Sequence, residues 1–527
     1  MHEAPWNTIA QLVDDAAGRF PDLEAVVEGP ERWTFPELAT RVHGAVRALI
    51  ATGIQRGDRI SIWAPNIREW VVVGLAVHCA GAVLVPINTR FKSREALHVL
   101  NACRARLVFT VSGFLDTDYV AMLRDANGAP AVEEIIILRG DAPAGTTAFE
   151  SFLERAATID DEHRAQRSAS VDPDDLCHIL FTSGTTGAPK GAMLTHAAIC
   201  EAYSVFCDVI GLRAGDRYLV VLPFFHSFGL NGGILCCLMR GATIVPDMVF
   251  DASATMRRVT DEQITVLPGA PTIFQTMLNH PDRSRFELSS LRLAVIGAAA
   301  IPVQLVHQLR DELGIAVVTG YGITESSGIV TMCRHDDDPD VIATTVGRPL
   351  PGLYVRIVDD QGHELPRGEA GEILVRGYTI MRGYLDDPAQ TAATIDADGW
   401  LHTGDIGVMH DDDTLQITDR LKDMFTVGGF NVYPAEIENV MSAHTAIAQV
   451  AVIGIPDSRL GEVGMAYVVR RSGARVESDE IKAWCREQMA NYKVPRVVAF
   501  VDALPVNATG KVLKFELRAH AAATVEC

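Results

Sequence analysis

Residues Leu176 to Phe181 form a mostly apolar run that reads as a buried strand, and the chain then changes character abruptly. It continues Thr182-Ser183-Gly184-Thr185-Thr186-Gly187-Ala188-Pro189-Lys190-Gly191, with three glycines, three threonines, a serine and a single lysine. Glycines leave backbone N–H groups unshielded, the hydroxyls add donors, and Lys190 adds a fixed positive charge. Together they make an anion cradle suited to a polyphosphate. This is not the Walker A pattern, because Gly191 follows the lysine where Ser or Thr would stand and the glycine spacing differs. A helix is expected to open just beyond, with Thr195 as N-cap before Ala197-Ala198-Ile199. Alone, such a loop could equally be a flexible surface segment.

The surrounding pattern favours the first reading. Short β-branched and aliphatic runs alternate with helix-period segments over the first four hundred or so residues. Expected strands include Arg59–Trp63, Ala82–Pro86, Leu107–Val111, Tyr218–Leu222, Val266–Pro268, Leu293–Ile296 and Ala316–Thr319, with helices such as Leu38–Thr52 and Val303–Leu313 among them. That alternation predicts layered α/β structure with parallel strands. From about Val346 shorter strands with Gly, Pro and Asp turns predict a small β-rich, mostly antiparallel module. After Asp419-Arg420-Leu421-Lys422-Asp423 the pattern restarts, with Pro434 opening a helix and further strands at Ala448–Ile455, Met465–Arg470 and Val497–Val501. The expectation is a large N-terminal α/β domain over 1–419, a connector at 420–424 and a small α+β domain over 425–527. With 527 residues, several folding units are required, since one core rarely grows past about 250–300 residues.

Charge and composition narrow the function. A net charge of −21 argues against a nucleic-acid partner or an anionic membrane surface, so an anionic substrate must be held by local donors and a few placed cations. No apolar run approaches the ~20 residues of a membrane span, and residues 1–5 begin no signal-peptide pattern. The ten cysteines are scattered without C-x-x-C spacing, which suits reduced thiols in a cytoplasmic protein. The acidic clusters His335–Asp340 and Asp411–Asp413 read as solvated turns.

Four further segments carry chemistry. In Gly320-Tyr321-Gly322-Ile323-Thr324-Glu325, Tyr321 could stack on a purine, Thr324 could donate to a phosphate, and Glu325 could hold Mg²⁺, which prefers oxygen ligands. Trp400-Leu401-His402-Thr403-Gly404-Asp405 ends in a carboxylate able to accept both ribose hydroxyls. Asp419–Asp423 packs opposite charges, and Pro505-Val506-Asn507-Ala508-Thr509-Gly510-Lys511 presents a lysine on a glycine-containing loop. Each alone also admits a bland role: a core tyrosine, a turn aspartate, a surface ion pair, an exposed lysine.

In order and spacing, TSGTTGAPKG, YGITE, WLHTGD, DRLKD, GGFNVYPAEIE and PVNATGK resemble the motifs of the adenylate-forming superfamily of acyl-CoA synthetases, adenylation domains and luciferases. The resemblance runs from Trp33 to Lys511. Within the superfamily, Phe224-Phe225-His226-Ser227-Phe228-Gly229, Val266–Thr272 and Leu460–Gly464 look most like acyl-CoA ligases acting on fatty acids or steroid-ring propionates.

The resemblance implies an ATP-dependent ligase that uses Mg²⁺, takes a small-molecule carboxylic acid, and uses CoA as co-substrate. It implies that Thr182, Ser183, Gly184, Thr185, Thr186, Gly187 and Lys190 hold the β- and γ-phosphates. Gly297, Ala298 and Ala299 would line the adenine slot with Tyr321 and Gly322. Thr324 would meet the α-phosphate, Glu325 the metal, and Asp405 and Arg420 the ribose. Lys511 matches the catalytic lysine of adenylation, Lys422 the hinge of a mobile C-terminal domain, and His226 the gate between acyl pocket and thiol tunnel. Gly428, Gly429 and Phe430 match the loop that lines that tunnel, although many relatives carry Lys-Gly-Phe there. Small residues at Asn231–Gly233, Pro271-Thr272, Ala298–Ala300 and Ser326–Gly328 are expected to line the acyl pocket or to pack closely. The oligomeric state is open, and a homodimer is compatible with the sequence. Loading of a carrier protein, release of free acyl-AMP and nucleotide sensing without turnover are the competing readings.

Overall fold

The short apolar runs pair side by side into four sheets, described by a computed structural model for residues 6–124, 128–182, 189–297, 301–420, 423, 425–427, 430–432, 434–457, 460–489, 491–506 and 512–525. Of residues 419, 420, 426, 430, 431, 436 and 523–525 the backbone alone is described. Strands Val83–Pro86, Arg59–Trp63, Leu107–Val111 and Glu134–Arg139 are parallel and lie in one eight-stranded sheet. The first three are almost fully buried, as expected of strands covered by helices on both faces. Leu176–Thr182 joins this sheet parallel to Val83–Pro86, and two antiparallel strands, Lys190–Thr195 and Gly383–Tyr384, complete its edge.

The second sheet has nine strands. Its middle, Arg217–Val220, Val266–Gly269, Leu293–Ile296 and Ala316–Tyr321, is parallel. The hairpin Glu24–Glu28 and Glu31–Thr34 closes one end. The expected β-rich module is a four-stranded antiparallel sheet of Tyr354–Val358, Ala370–Arg376, Leu401–Met409 and Leu415–Arg420. The fourth sheet holds Phe425–Val427, Phe430–Val432, Ile447–Asp457, Gly461–Arg470 and Val497–Phe500. Helices Pro434–Ser442 and Ser478–Gln488 bury Ile437, Met441, Ile481 and Cys485 against one of its faces, and Lys514–Val525 buries Leu517 and Ala521 on the other.

Local expectations differ from the structure in three places. Lys190–Thr195 is a strand, and the helix His196–Ile210 starts only after it, capped by Thr195 as expected. The segment Val303–Leu313 begins as α-helix, Val303–His307, and widens into a π-turn over Gln308–Glu312. Asp405 lies inside a strand instead of a turn. The acidic clusters are ion-paired: Arg348 reaches Asp337 and Asp412, and Arg367 reaches Asp413. Nine described cysteines are free and buried, and no described helix is long and apolar enough to cross a membrane.

Candidate active site

Strand Leu176–Thr182 carries the chain to the glycine-threonine loop, and Lys190–Thr195 brings it back antiparallel, with Thr182 opposite Lys190. Ser183, Gly184, Thr185, Thr186 and Gly187 lie outside the described residues, so the loop is defined by its flanks. His98, on helix Ser93–Cys103, sits with its Nε2 3.0 Å from the Pro189 carbonyl. Gly191 faces Phe181 and Ile179 so closely that an added Cβ would lie 2.7 Å from Ile179 Cγ2. This accounts for glycine following the lysine: a serine or threonine has no room there.

Lys190 Nζ donates to Gln390 Oε1 at 2.6 Å and lies 5.6 Å from the centroid of the Tyr384 ring. No carboxylate among the described residues pairs with it. The phenol of Tyr384 donates in turn to Glu325 Oε1 at 2.8 Å. Glu325 occupies a single 3₁₀ turn, Thr324–Ser326, that follows strand Ala316–Tyr321, and its carbonyl accepts from Met381 N–H at 2.8 Å. Glu325 Oε2 has no hydrogen-bond partner among the described residues. The motif residues Lys190 and Glu325, far apart in sequence, are thus joined through Tyr384.

From the same strand, Tyr321 donates its hydroxyl to Asp405 Oδ2 at 2.6 Å. Asp405 is buried in strand Leu401–Met409, and Arg420 stands opposite it across the antiparallel pair. A Cβ at Gly322 would lie 2.4 Å from backbone atoms of Gly328 and Ile329, so glycine there permits a close chain crossing. A Cβ at Gly297 would meet no described atom within 4 Å. Ala298, Ala299, Lys422, Gly428, Gly429 and Lys511 lie outside the described residues, and of Phe430 the backbone alone is described.

His226 stands before a π-helix, Phe228–Leu235, a backbone form that recurs at functional sites. Its side chain is accessible to solvent, yet burial lowers its pKa to about 4. Next to it a buried network forms: Tyr203 OH and Ser227 Oγ both donate to the Ser327 carbonyl, at 3.0 and 3.2 Å, and Asn231 Nδ2 donates to Ser227 Oγ at 3.1 Å. Of the small residues for which pocket lining and close packing were both open, three approach their neighbours closely. A Cβ would meet Phe228 at Gly232, Val220 at Gly233 and Ser227 Oγ at Gly328.

Elsewhere in the same sheet region three imidazoles are buried together. His78 lies on helix Arg68–Cys79, His178 on strand Leu176–Thr182, and His196 opens the next helix. His178 Nδ1 lies 3.3 Å from His78 Nε2, and Ile9 N–H donates to His196 Nδ1 at 3.2 Å. Burial pushes His178 down to about 3, His196 to about 4, and His78 well below the ordinary imidazole value. Neutral imidazoles can ligate metals, but no cluster of three or more His, Cys, Asp or Glu suited to a metal exists among the described residues.

That absence also bears on Mg²⁺ at Glu325. One carboxylate with one oxygen uncommitted suits an ion held mainly by nucleotide phosphates, with few protein ligands. The donor set fits: Glu325 would hold the ion, and its chemistry there would be neutralisation of phosphate charge.

Sequence reasoning missed Tyr384 and Gln390. Gly383-Tyr384 followed by Pro388 reads as an ordinary turn into a helix, and only the sheet edge reveals their position.

Lys190 at the start of the strand after the glycine-threonine loop, Glu325 after an adjoining strand and the buried Asp405 are the candidate nucleotide-handling groups. The family model for the AMP-binding enzyme matches residues 13–385, and that for the AMP-binding enzyme C-terminal domain matches residues 436–511. The chain belongs to the AMP-binding enzymes. It is an ATP-dependent acyl-CoA ligase, using Mg²⁺ and CoA. It is 49% identical to the 3-[(3aS,4S,7aS)-7a-methyl-1,5-dioxo-octahydro-1H-inden-4-yl]propanoyl:CoA ligase of Rhodococcus jostii (strain RHA1), covering 98% of this chain and 99% of that one. The ligase of the same name from Mycobacterium tuberculosis (strain ATCC 25618 / H37Rv) is 47% identical, covering 97% and 98%. Among solved structures, the anthranilate CoA ligase AuaEII in complex with anthranoyl-AMP superposes with a TM-score of 0.91 at 28% identity, covering 99% and 98%.

Proposed function

We propose that the acid activated by this ligase is a propionate borne on a fused bicyclic diketone, the class left when a steroid skeleton has lost its other rings. The observation that carries this reading is 49% and 47% identity, over effectively the whole chain, to two ligases named for that one acid. A steroid-derived ring acid also suits a cytoplasmic enzyme with reduced thiols, a setting supported by the nine free buried cysteines.

The reaction divides into two steps. A carboxylate oxygen attacks the α-phosphorus of ATP and diphosphate leaves, giving acyl-AMP; a thiol then attacks the acyl carbon and AMP leaves. Residues 182–187 and Lys190 hold the outer phosphates, with Thr324 at the α-phosphate. Gly297, Ala298, Ala299, Tyr321 and Gly322 receive the adenine, and Asp405 and Arg420 the ribose. Lys511 stabilises the charge crowding the α-phosphate, an effect worth about 2.7–4 kcal/mol for one such donor. On this reading the domain over 425–527 turns about Lys422 between steps, withdrawing Lys511 and bringing Gly428, Gly429 and Phe430 to the thiol path past His226. Support comes from the Tyr384 link between Lys190 and Glu325 and from Tyr321 meeting Asp405.

The test is AMP release with CoA across an acid panel: the bicyclic diketone propionate, straight-chain fatty acids of medium and long chain, and anthranilate. The bicyclic acid should exceed the others in kcat/KM by at least about 100-fold, the discrimination that roughly 2.7 kcal/mol of differential binding provides. A fatty acid turned over equally well would overturn the assignment.

A further inference from the structure

We propose that the Tyr384 hydroxyl is a positioning group that fixes the Glu325 carboxylate for Mg·ATP. The proposal rests on the reading that Glu325 holds the metal.

Tyr384 is held to both motifs by backbone. It belongs to the edge strand Gly383–Tyr384, which pairs with the strand carrying Lys190, and the flanking Arg382 and Leu385 N–H groups donate to Met193 and Gly191 carbonyls at 2.9 and 2.8 Å. Three residues earlier, Met381 N–H holds the carbonyl of Glu325. One five-residue segment therefore anchors the phosphate-loop strand and the metal-facing turn to each other.

The side chain repeats this link. Tyr384 is 9% exposed, its hydroxyl donates to Glu325 Oε1, and its ring lies beside Lys190 Nζ. A carboxylate gripped at one oxygen can present only the other, and Mg²⁺ demands well-oriented oxygen ligands. Groups that orient a metal ligand in this way typically change metal affinity about 10–100-fold when removed. On the other side of the ring contact, Lys190 donates to the neutral Gln390 amide.

The experiment is calorimetric titration of the full-length enzyme without acid or CoA, using Tyr384→Phe, Glu325→Gln and wild type. Mg·ATP is titrated at limiting and at saturating Mg²⁺, and AMP, which needs no metal, is titrated alongside. For Tyr384→Phe we expect the Kd for Mg·ATP to rise about tenfold at limiting Mg²⁺ and to recover as Mg²⁺ is raised, with AMP binding changed by less than about twofold. If Mg·ATP and AMP weaken together, Tyr384 is merely structural and the proposal is overturned. If Glu325→Gln shows the metal-dependent loss but Tyr384→Phe binds like wild type, the positioning role alone fails. If neither variant shows it, the metal reading of Glu325 fails and takes the proposal with it.

Discussion

The buried trio His78, His178 and His196 makes the enzyme acid-labile over a narrow pH window. An unfolded imidazole titrates near 6.5, whereas His178 and His196 are held at about 3 and about 4, and His78 is lowered in the same direction by the same burial. Below about pH 6.5 the unfolded chain binds protons that the folded chain refuses, so this stability is fully present above that value and lost as the pH falls. At about pH 5 His178 and His196 each cost roughly 1.5 pKa units, or about 2 kcal/mol, and the two together roughly 4 kcal/mol, with His78 acting in the same direction. That approaches the lower end of the whole stability of many domains, about 5–15 kcal/mol. Salt-bridged carboxylates such as Glu28 and Glu134, whose pKa values are lowered, lose their contribution only below about pH 4.5, so the window belongs to the imidazoles. Urea unfolding followed by tryptophan fluorescence, at steps from about pH 7.5 to about pH 5, measures the loss directly. His178→Asn keeps a polar side chain without the titration and should remove about 2 kcal/mol of the loss at about pH 5. Stability flat to within about 1 kcal/mol over that interval would refute the reasoning, as would a variant with an unchanged slope.

Two other perturbations address the nucleotide site. Lys511→Ala should lower acid-dependent diphosphate–ATP exchange by about 10²–10³-fold while leaving thioester formation from supplied acyl-AMP within about threefold; equal loss of both halves would contradict the domain swing. Gly191→Ala should destabilise by about 1–3 kcal/mol, because its Cβ presses on Ile179 and Phe181, and should raise the KM for ATP more than that for the acid by shifting Lys190. Differential scanning together with the two KM values checks this.

Much of the site was legible because its parts are local. A strand, a loop and a cap are written in consecutive residues, so Leu176–Thr182 and the Thr195 cap emerge from pattern alone. Order along the chain then identified the family. What stayed hidden depends on sheet order. Strand Lys190–Thr195 exists because its neighbours in the sheet supply hydrogen bonds, and its own sequence carries no alternation to announce it. Asp405 looked like a turn residue because Thr-Gly-Asp commonly is one, yet the pairing of Leu401–Met409 with both flanking strands buries it. The acyl pocket was read least well. Small residues mark either space or close approach, and at Gly232, Gly233 and Gly328 close approach prevails.

The net charge of −21 leaves the question of how such a surface accepts a polyphosphate. The described arginines of the N-terminal sheets are largely spent on the excess acid: Arg139 holds Glu28 and Glu69, Arg217 holds Glu24 and Glu262, Arg292 holds Asp216, and Arg106 holds Asp58 and Glu133. Each pair closes a structural seam and contributes little field at a distance, because its charges cancel and solvent screens the remainder beyond about 10 Å. Lys190 is treated differently. Its ammonium donates to the neutral Gln390 amide and lies beside the Tyr384 ring, and no carboxylate among the described residues pairs with it. On the proposed reading, affinity for ATP arises from this cation kept from the protein's own carboxylates, not from any general attraction of the surface.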